Sequence, residues 1–355
     1  MVCIAAFILL AVCVLAVPVI RLFNKPVADS IWKMFKKSIY CFTHRVTFRK
    51  CDSTFKSDIK NSILRRVVIK HPDWVKPLSI LIEVLSVLII VVTVWSLLVA
   101  FKAAVSLTAY GTCDPVTPEA CAVGDAEACY TGEAKQFDNP VDWTINWFAE
   151  IGEAFVAIPP KFTHWEAKDY LPENVSYYNE FDNNKPTALD IFDPGCKWCR
   201  ESFKAQSTAG FFDQNNVALL PYSIQQNGEY QFKNSDLVVR YLEAVKLIPL
   251  DNAQRPPEWQ IVERLFTTNS PRQIVWQEDF NNYYSDGEAR EILNDWLKDF
   301  GYSAADVKKI TSLVDSPEIR ATIDKNREIV ENQIKIVKIP TMIYDGVRHE
   351  GLFKQ

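Results

Sequence analysis

Two cysteines separated by two residues, Cys196 and Cys199, carry the most specific chemistry in this chain of 355 residues. They follow an apolar run, Thr187 to Phe192, that stops at Asp193-Pro194-Gly195, so the order is strand, turn, thiol pair, helix. A thiolate at a helix start faces backbone N–H groups that have no helical acceptor and the positive end of the helix dipole. The pKa of Cys196 is therefore expected to fall. A stable thiolate makes Cys196 a good leaving group and a Cys196–Cys199 disulfide a labile oxidant. Lys197 adds positive charge there and Asp193 removes some. By itself such a pair is compatible with half a zinc site, a tight structural disulfide or a redox couple, and the surrounding elements must choose.

Those elements narrow the choice. Asp190 alternates with Leu189 and Ile191 on the incoming strand, which aims its side chain beneath the helix start. Val175 to Phe181 alternates loosely as an earlier strand, a helix is expected from Cys199 to Gln214, and Val217 to Ile224 reads as the next strand. Asn234-Ser235-Asp236, Ser270-Pro271 and Ser316-Pro317-Glu318 are helix start signals, and Gly301 is a C-cap. Far downstream, Lys338 to Gly346 is a strand with Pro340 near its entrance and Asp345-Gly346 as a hairpin turn.

Strand, acid, CxxC, helix and a distant Ile339-Pro340 before a hairpin resemble the thioredoxin superfamily. The helical stretch at about 234–334, ending in a long helix before Ile339-Pro340, is similar to the DsbA family of thiol:disulfide oxidoreductases. The likeness covers about residues 173–355. It implies an α/β thioredoxin-like fold with a DsbA-type helical insertion, here preceded by two transmembrane helices. It further implies that Cys196 is the solvent-facing nucleophile, that Cys199 is the buried resolving thiol, and that Asp190 is a buried acid moving the proton of Cys199. Pro340 would be a cis-proline beside the disulfide, leaving the Ile339 backbone open to an extended substrate. Lys197, Trp198 and Ile339 would border the substrate. No cofactor beyond a Cys196–Cys199 disulfide is implied, and His349 is expected on the surface. The family normally adds a C-terminal helix after the hairpin, whereas here only Gly351 to Gln355 follow. Either the chain is truncated or another element, such as a helix at 140–158, covers that face.

Charge divides the chain. Residues 24–76 hold thirteen Lys/Arg against four Asp/Glu, and residues 103–355 hold twenty-four against thirty-nine. Residues 2–20 are apolar with Arg21 and Lys25 behind them, the order of a retained anchor, and residues 84–101 carry no charge between Glu83 and Lys102. The expected order is a transmembrane helix at 1–23, a basic cytoplasmic loop at 24–77, a second transmembrane helix at 78–103, an extracytoplasmic stem at 104–172 and the thioredoxin-like domain at 173–355. The basic loop suits anionic lipid headgroups and its Cys41, His44, Cys51 and His71 match no common zinc spacing. The localisation is then the cell membrane, multi-pass, with an acidic domain in an oxidising compartment.

In the stem, Asn139-Pro140 starts a helix whose residues Val141, Ile145, Phe148, Ile151, Phe155 and Ile158 form one stripe, suited to packing on the next domain or a second subunit. Two of Cys113, Cys121 and Cys129 are expected to pair, and the third to stay free, bridge chains or exchange with Cys196–Cys199; spacing does not choose among them. The expected partners are unfolded or exported protein thiols, a membrane redox partner that resets the pair, and lipid, with no nucleic acid. The competing readings are a reductase or isomerase of the same fold, or a thiol-based copper or zinc delivery module.

Overall fold

The computed structural model describes residues 21, 25–46, 72–112, 128–131, 139–250 and 255–354. The chain divides into two compact units, Met1–Phe101 and Lys102–Gln355. The first expected span and the stem cysteines Cys113 and Cys121 lie outside the described residues.

In the first unit, the stretch expected as a basic loop contains α1, Lys25–Val46. Its Pro26 sits at the start, where no helical N–H is lost. The next helix, α2, runs Val75–Tyr110, and it is the one helix among the described residues long and apolar enough to cross a membrane. Val84, Leu88, Val91 and Leu97 all point outward. The hydroxyls of Ser86 and Thr93 donate back to the carbonyls of Ile82 and Ile89, so these polar groups are satisfied within the helix itself.

The second unit starts with the last turns of α2, which exceed the expected span because Val105, Ala109 and Tyr110 still have apolar partners: Ala154, Ala157, Ile158 and Val337. Next come β1, Cys129–Tyr130, and α3, Pro140–Ala157. Asn139 caps α3, its side-chain oxygen accepting from the N–H groups of Val141 at 3.0 Å and Asp142 at 2.9 Å. The buried face of α3 takes in only the end of the predicted stripe, where Ile158 packs with Val105, Ala109 and Tyr110. Trp147 and Ala154 are buried and Glu150 pairs with Lys102, while Val141, Ile145, Phe148 and Phe155 remain exposed.

The strand β2, Thr187–Phe192, leads into α4, Lys197–Thr208, and α5, Phe211–Gln214. The single helix expected there is interrupted at Gly210, whose φ of +68° suits glycine. After β3, Asn216–Pro221, a small hairpin is formed by β4, Gln225–Gln226, and β5, Glu229–Tyr230. The insertion then supplies α6 (Ser235–Lys246), α7 (Pro257–Thr267), α8 (Trp276–Asn282), α9 (Asp286–Phe300), α10 (Ala304–Val314) and α11 (Pro317–Glu328), followed by a π-helical turn at Ile329–Ile334. Ser316 caps α11 and Gly301 closes α9 at φ +111°, as predicted. Asn234 and Ser270-Pro271 do not cap by side chain: Asn234 donates to the carbonyls of Phe280 and Tyr284, and α8 begins only at Trp276.

The chain closes with β6, Lys338–Ile339, β7, Thr341–Tyr344, and β8, Val347–Glu350. The main sheet has the order β3-β2-β7-β8, with β2 and β3 parallel and the other pairs antiparallel. The continuous strand expected at 338–346 is split at Pro340, which has no N–H to give to a ladder, and its two halves take different partners. The half after Pro340 joins β2, and the half before it pairs with β1. The expected strand at 175–181 is reduced to one bridge, Tyr177 to Ala218. There the Asn216 side chain takes over, donating to the carbonyls of Asp182 and Lys185 and accepting from Asp182 N–H. Beneath lies one apolar core whose largest buried members include Trp259, Trp296, Tyr241, Phe266 and Phe280, joining sheet and insertion.

Candidate active site

The fold brings four of the expected residues to one place. Cys196 is the N-cap residue of α4, Cys199 lies on its first turn, Asp190 lies on β2 beneath it, and the Ile339–Pro340 peptide, which is cis, comes from the far end of the chain. The Cys199 N–H donates to the Cys196 carbonyl at 3.1 Å, and the Cys196 sulfur stands 3.8 Å from the Ile339 carbonyl oxygen.

The disulfide differs from the expected one. Cys196 is bonded to Cys129, with the two Cα atoms 6.2 Å apart, and Cys199 is a free, buried thiol. Cys196 is accordingly not solvent-facing: β1 lies over it and it is fully buried. The cause is register. Cys129 stands opposite Ile339 and Tyr130 opposite Lys338 in an antiparallel ladder, and Thr131 extends it by donating from its N–H to the Val337 carbonyl at 3.0 Å. The Thr131 hydroxyl adds a bond to the Ile336 carbonyl at 3.2 Å. The Ile339 backbone expected to be open is thus occupied by the chain's own segment. The Ile339 side chain is buried rather than forming a rim, whereas Lys197 is exposed, Trp198 is half-buried, and the Lys197 ammonium lies 5.3 Å from the Trp198 ring centre.

The turn before the thiols is held from several directions. One oxygen of the Asp193 carboxylate accepts from the Gly195 N–H and the Ser235 hydroxyl, and the other from the Ile224 N–H at 2.7 Å. The strand β3 ends at Pro221, opposite the last residue of β2, and the N–H of Ile224, expected within the strand, goes to Asp193 instead. Gln277 on α8 donates to the carbonyls of Pro194 at 2.7 Å and Cys196 at 2.9 Å, and Asn281 donates to Gly195 at 2.8 Å. A Cβ on Gly195 would collide with the Phe232 side chain.

Burial governs the electrostatics. It pushes Asp190 from 3.8 up to about 6, opposed by the Gln206 amide donating at 2.8 Å, and it pushes Asp193 up to about 6 as well. The second Asp190 oxygen is buried with no hydrogen-bond partner. Burial also drives the Cys199 thiol well above its ordinary value; the Asp193 N–H, 3.4 Å from its sulfur, works against this, and the Asp193 and Asp190 charges add to it. A carboxyl poised near neutrality thus stands within electrostatic reach of a thiol that needs a proton acceptor. His349 is half-buried, stacked on Tyr344 with ring centres 3.9 Å apart, and burial lowers its pKa; it is not the plain surface residue expected.

Gln206, Gln277 and Asn281 escaped the sequence reading; Ser235 is foreseen only as part of a helix start, and Cys129 only as one of three stem cysteines among which exchange with the Cys196 pair is left open. Gln206 was within reach, because a spacing of seven puts it on the same helical face as Cys199. Gln277 and Asn281 show only as a polar pair four apart.

No family model matches the sequence, and no curated relative does. Among solved structures, the MdbA protein of Actinomyces oris, a thiol-disulfide oxidoreductase, aligns at 15% identity over 54% of this chain and 90% of its own, with a TM-score of 0.39. The MdbA protein of Corynebacterium diphtheriae, also a thiol-disulfide oxidoreductase, aligns at 16% over 51% of this chain and 91% of its own, with a TM-score of 0.35. The oxidoreductase NmDsbA1 of N. meningitidis aligns at 20% over 51% and 80%, with a TM-score of 0.29. These neighbours share with this chain a mixed sheet and helices. At such TM-scores the likeness carries no chemistry of its own.

Proposed function

We propose that this chain is a membrane-anchored thiol:disulfide oxidoreductase of thioredoxin-like, DsbA-type architecture that exchanges disulfides with thiols of exported proteins through Cys196. The observation that supports it most is a Cys196 sulfur already engaged in a disulfide to an extended segment that pairs with the Ile339 backbone. A backbone edge that takes a cysteine in a strand-like segment beside a helix N-cap sulfur is suited to mixed disulfides with protein chains.

In the oxidising direction a client thiolate attacks Cys196 of a Cys196–Cys199 disulfide, and Cys199 leaves and takes up a proton. A second client thiolate then attacks the client sulfur of the mixed disulfide, expelling Cys196 as a thiolate. The client loses two electrons and the enzyme pair gains them. Asp190 exchanges the proton of Cys199, and a membrane redox partner restores the disulfide. The acidic domain is exported on this reading, into the oxidising compartment where a disulfide enzyme meets its clients.

The full chain in detergent, incubated with a peptide containing two thiols, tests this. Cys196→Ser is expected to abolish peptide oxidation and Cys199→Ser to accumulate mixed disulfides on Cys196. Full activity in Cys196→Ser rejects the reading. Equilibration in glutathione buffers separates the directions: an oxidising potential supports the oxidase, a reducing one the reductase.

A further inference from the structure

The segment 128–131 is built into the site more thoroughly than a stem cysteine caught by chance. It pairs with β6 in register, Ala128 and Tyr130 are buried, and Gln226 reaches the Tyr130 carbonyl at 3.5 Å. Cys129 itself stays partly exposed while Cys196 is fully buried beneath it. The free thiol that would reverse the bond, Cys199, sits one helical turn from Cys196, and the unpartnered Asp190 oxygen is among the groups whose charge reaches it.

We propose that residues 128–131 are a tethered surrogate for the client segment and that Cys129 is a third redox cysteine, which holds Cys196 in a closed resting state and is released by exchange with Cys199. The proposal rests on the thiol-exchange reading and adds the regulation and client class of the same site. Cys199 gives its proton to Asp190, and its sulfur attacks the Cys196 sulfur. The Cys196–Cys199 bond forms, the Cys129–Cys196 bond breaks, and Cys129 leaves as a thiolate that is protonated from water. One disulfide replaces another, so nothing is oxidised or reduced. With Cys129 detached, β1 loses its covalent tie and the ladder along Ile336 to Ile339 opens to another strand. The clients this site selects carry a cysteine in an extended segment, with a small residue before it and an aromatic residue after it, as in Ala128-Cys129-Tyr130.

The test uses the full chain in detergent, equilibrated in glutathione buffers, quenched in acid, alkylated and mapped by mass spectrometry of its disulfide-linked peptides. The wild type is expected to show two isomers, 129–196 and 196–199. Cys199→Ser should show only the first, and Cys129→Ala only the second. Cys129→Ala should oxidise a two-thiol peptide without the initial lag of the wild type. Thr131→Pro keeps all three cysteines but deletes both the N–H bonded to Val337 and the hydroxyl bonded to Ile336, and should shift the isomer ratio toward 196–199 by about fivefold for each bond lost, roughly 25-fold together. If Cys129 is never found on Cys196 in the wild type, and Cys129→Ala oxidises peptide with wild-type kinetics, the surrogate role is refuted while the enzyme reading stands. If neither the wild type nor Cys129→Ala oxidises peptide, both fall.

Discussion

Replacing Asp190 by Asn isolates the energetic consequence of placing a carboxyl under the thiol helix. Burial lifts this group from 3.8 to about 6. A shift of that size, at 1.36 kcal/mol per unit, corresponds to about 3 kcal/mol as an order of magnitude. Because the folded state holds the proton to higher pH than the unfolded chain does, the folded state is favoured most below pH 4. That advantage is lost as the pH rises through 6. In Asp190→Asn the Gln206 amide still has an oxygen to meet, and the new amide group carries its own cost, which is the same at every pH. The difference in unfolding free energy between variant and wild type should therefore move by about 2.5 kcal/mol in the variant's favour between pH 4 and pH 7.5, the rest of the change lying below pH 4 where the unfolded carboxyl begins to ionise. Asp193 titrates in both proteins and cancels. Urea unfolding of the full chain in detergent, followed by tryptophan fluorescence across that range, measures it. Exchange at Cys199 should meanwhile slow by on the order of 100-fold, the weight of a positioned proton acceptor, and lose its inflection near pH 6. Equal pH slopes in the two proteins would refute the reasoning.

Two further substitutions probe the turn that presents the thiols. Gly195→Ala should destabilise the second unit by about 1–3 kcal/mol, since Phe232 must move to admit the methyl group, and Gly195→Ala combined with Phe232→Ala should recover part of the loss in the same urea assay. Gln277→Leu strips hydrogen bonds from the carbonyls of Pro194 and Cys196; about 1–3 kcal/mol of stability should go for each acceptor left dry. Mass-spectrometric mapping should then show a disturbed ratio of the Cys196 disulfides, and an unchanged ratio would mean the amide supports the fold without positioning the sulfur.

Much of the reactive geometry was legible from local pattern. Alternation placed Asp190 on the inward face of β2, the Asp193-Pro194-Gly195 stop put Cys196 at a helix cap, and Ile339-Pro340 marked a break before a hairpin. Each is a property of a few neighbouring residues, set by strand and helix periods and by the missing N–H of proline. The same logic misjudged α3, because periodicity reports that a helix has an apolar stripe and is silent on which side finds a partner. It missed the Asp193 network for a related reason: Ser235 sits in a helix-start sequence, and only the approach of α6 to the turn converts its hydroxyl into a donor to Asp193.

Which cysteine Cys196 holds was decided by tertiary structure alone. The partners are separated by 67 residues, and their union depends on β1 entering in antiparallel register beside β6 while α4 presents its first sulfur. Loop-closure entropy discriminates only weakly among the stem cysteines, since it grows with the logarithm of loop length. Backbone pairing and the burial of Ala128 and Tyr130 supply the selectivity, and both exist only once the strands have met. The sequence by itself determined what the sulfur at position 196 is able to do; the packed chain determined what it is bonded to.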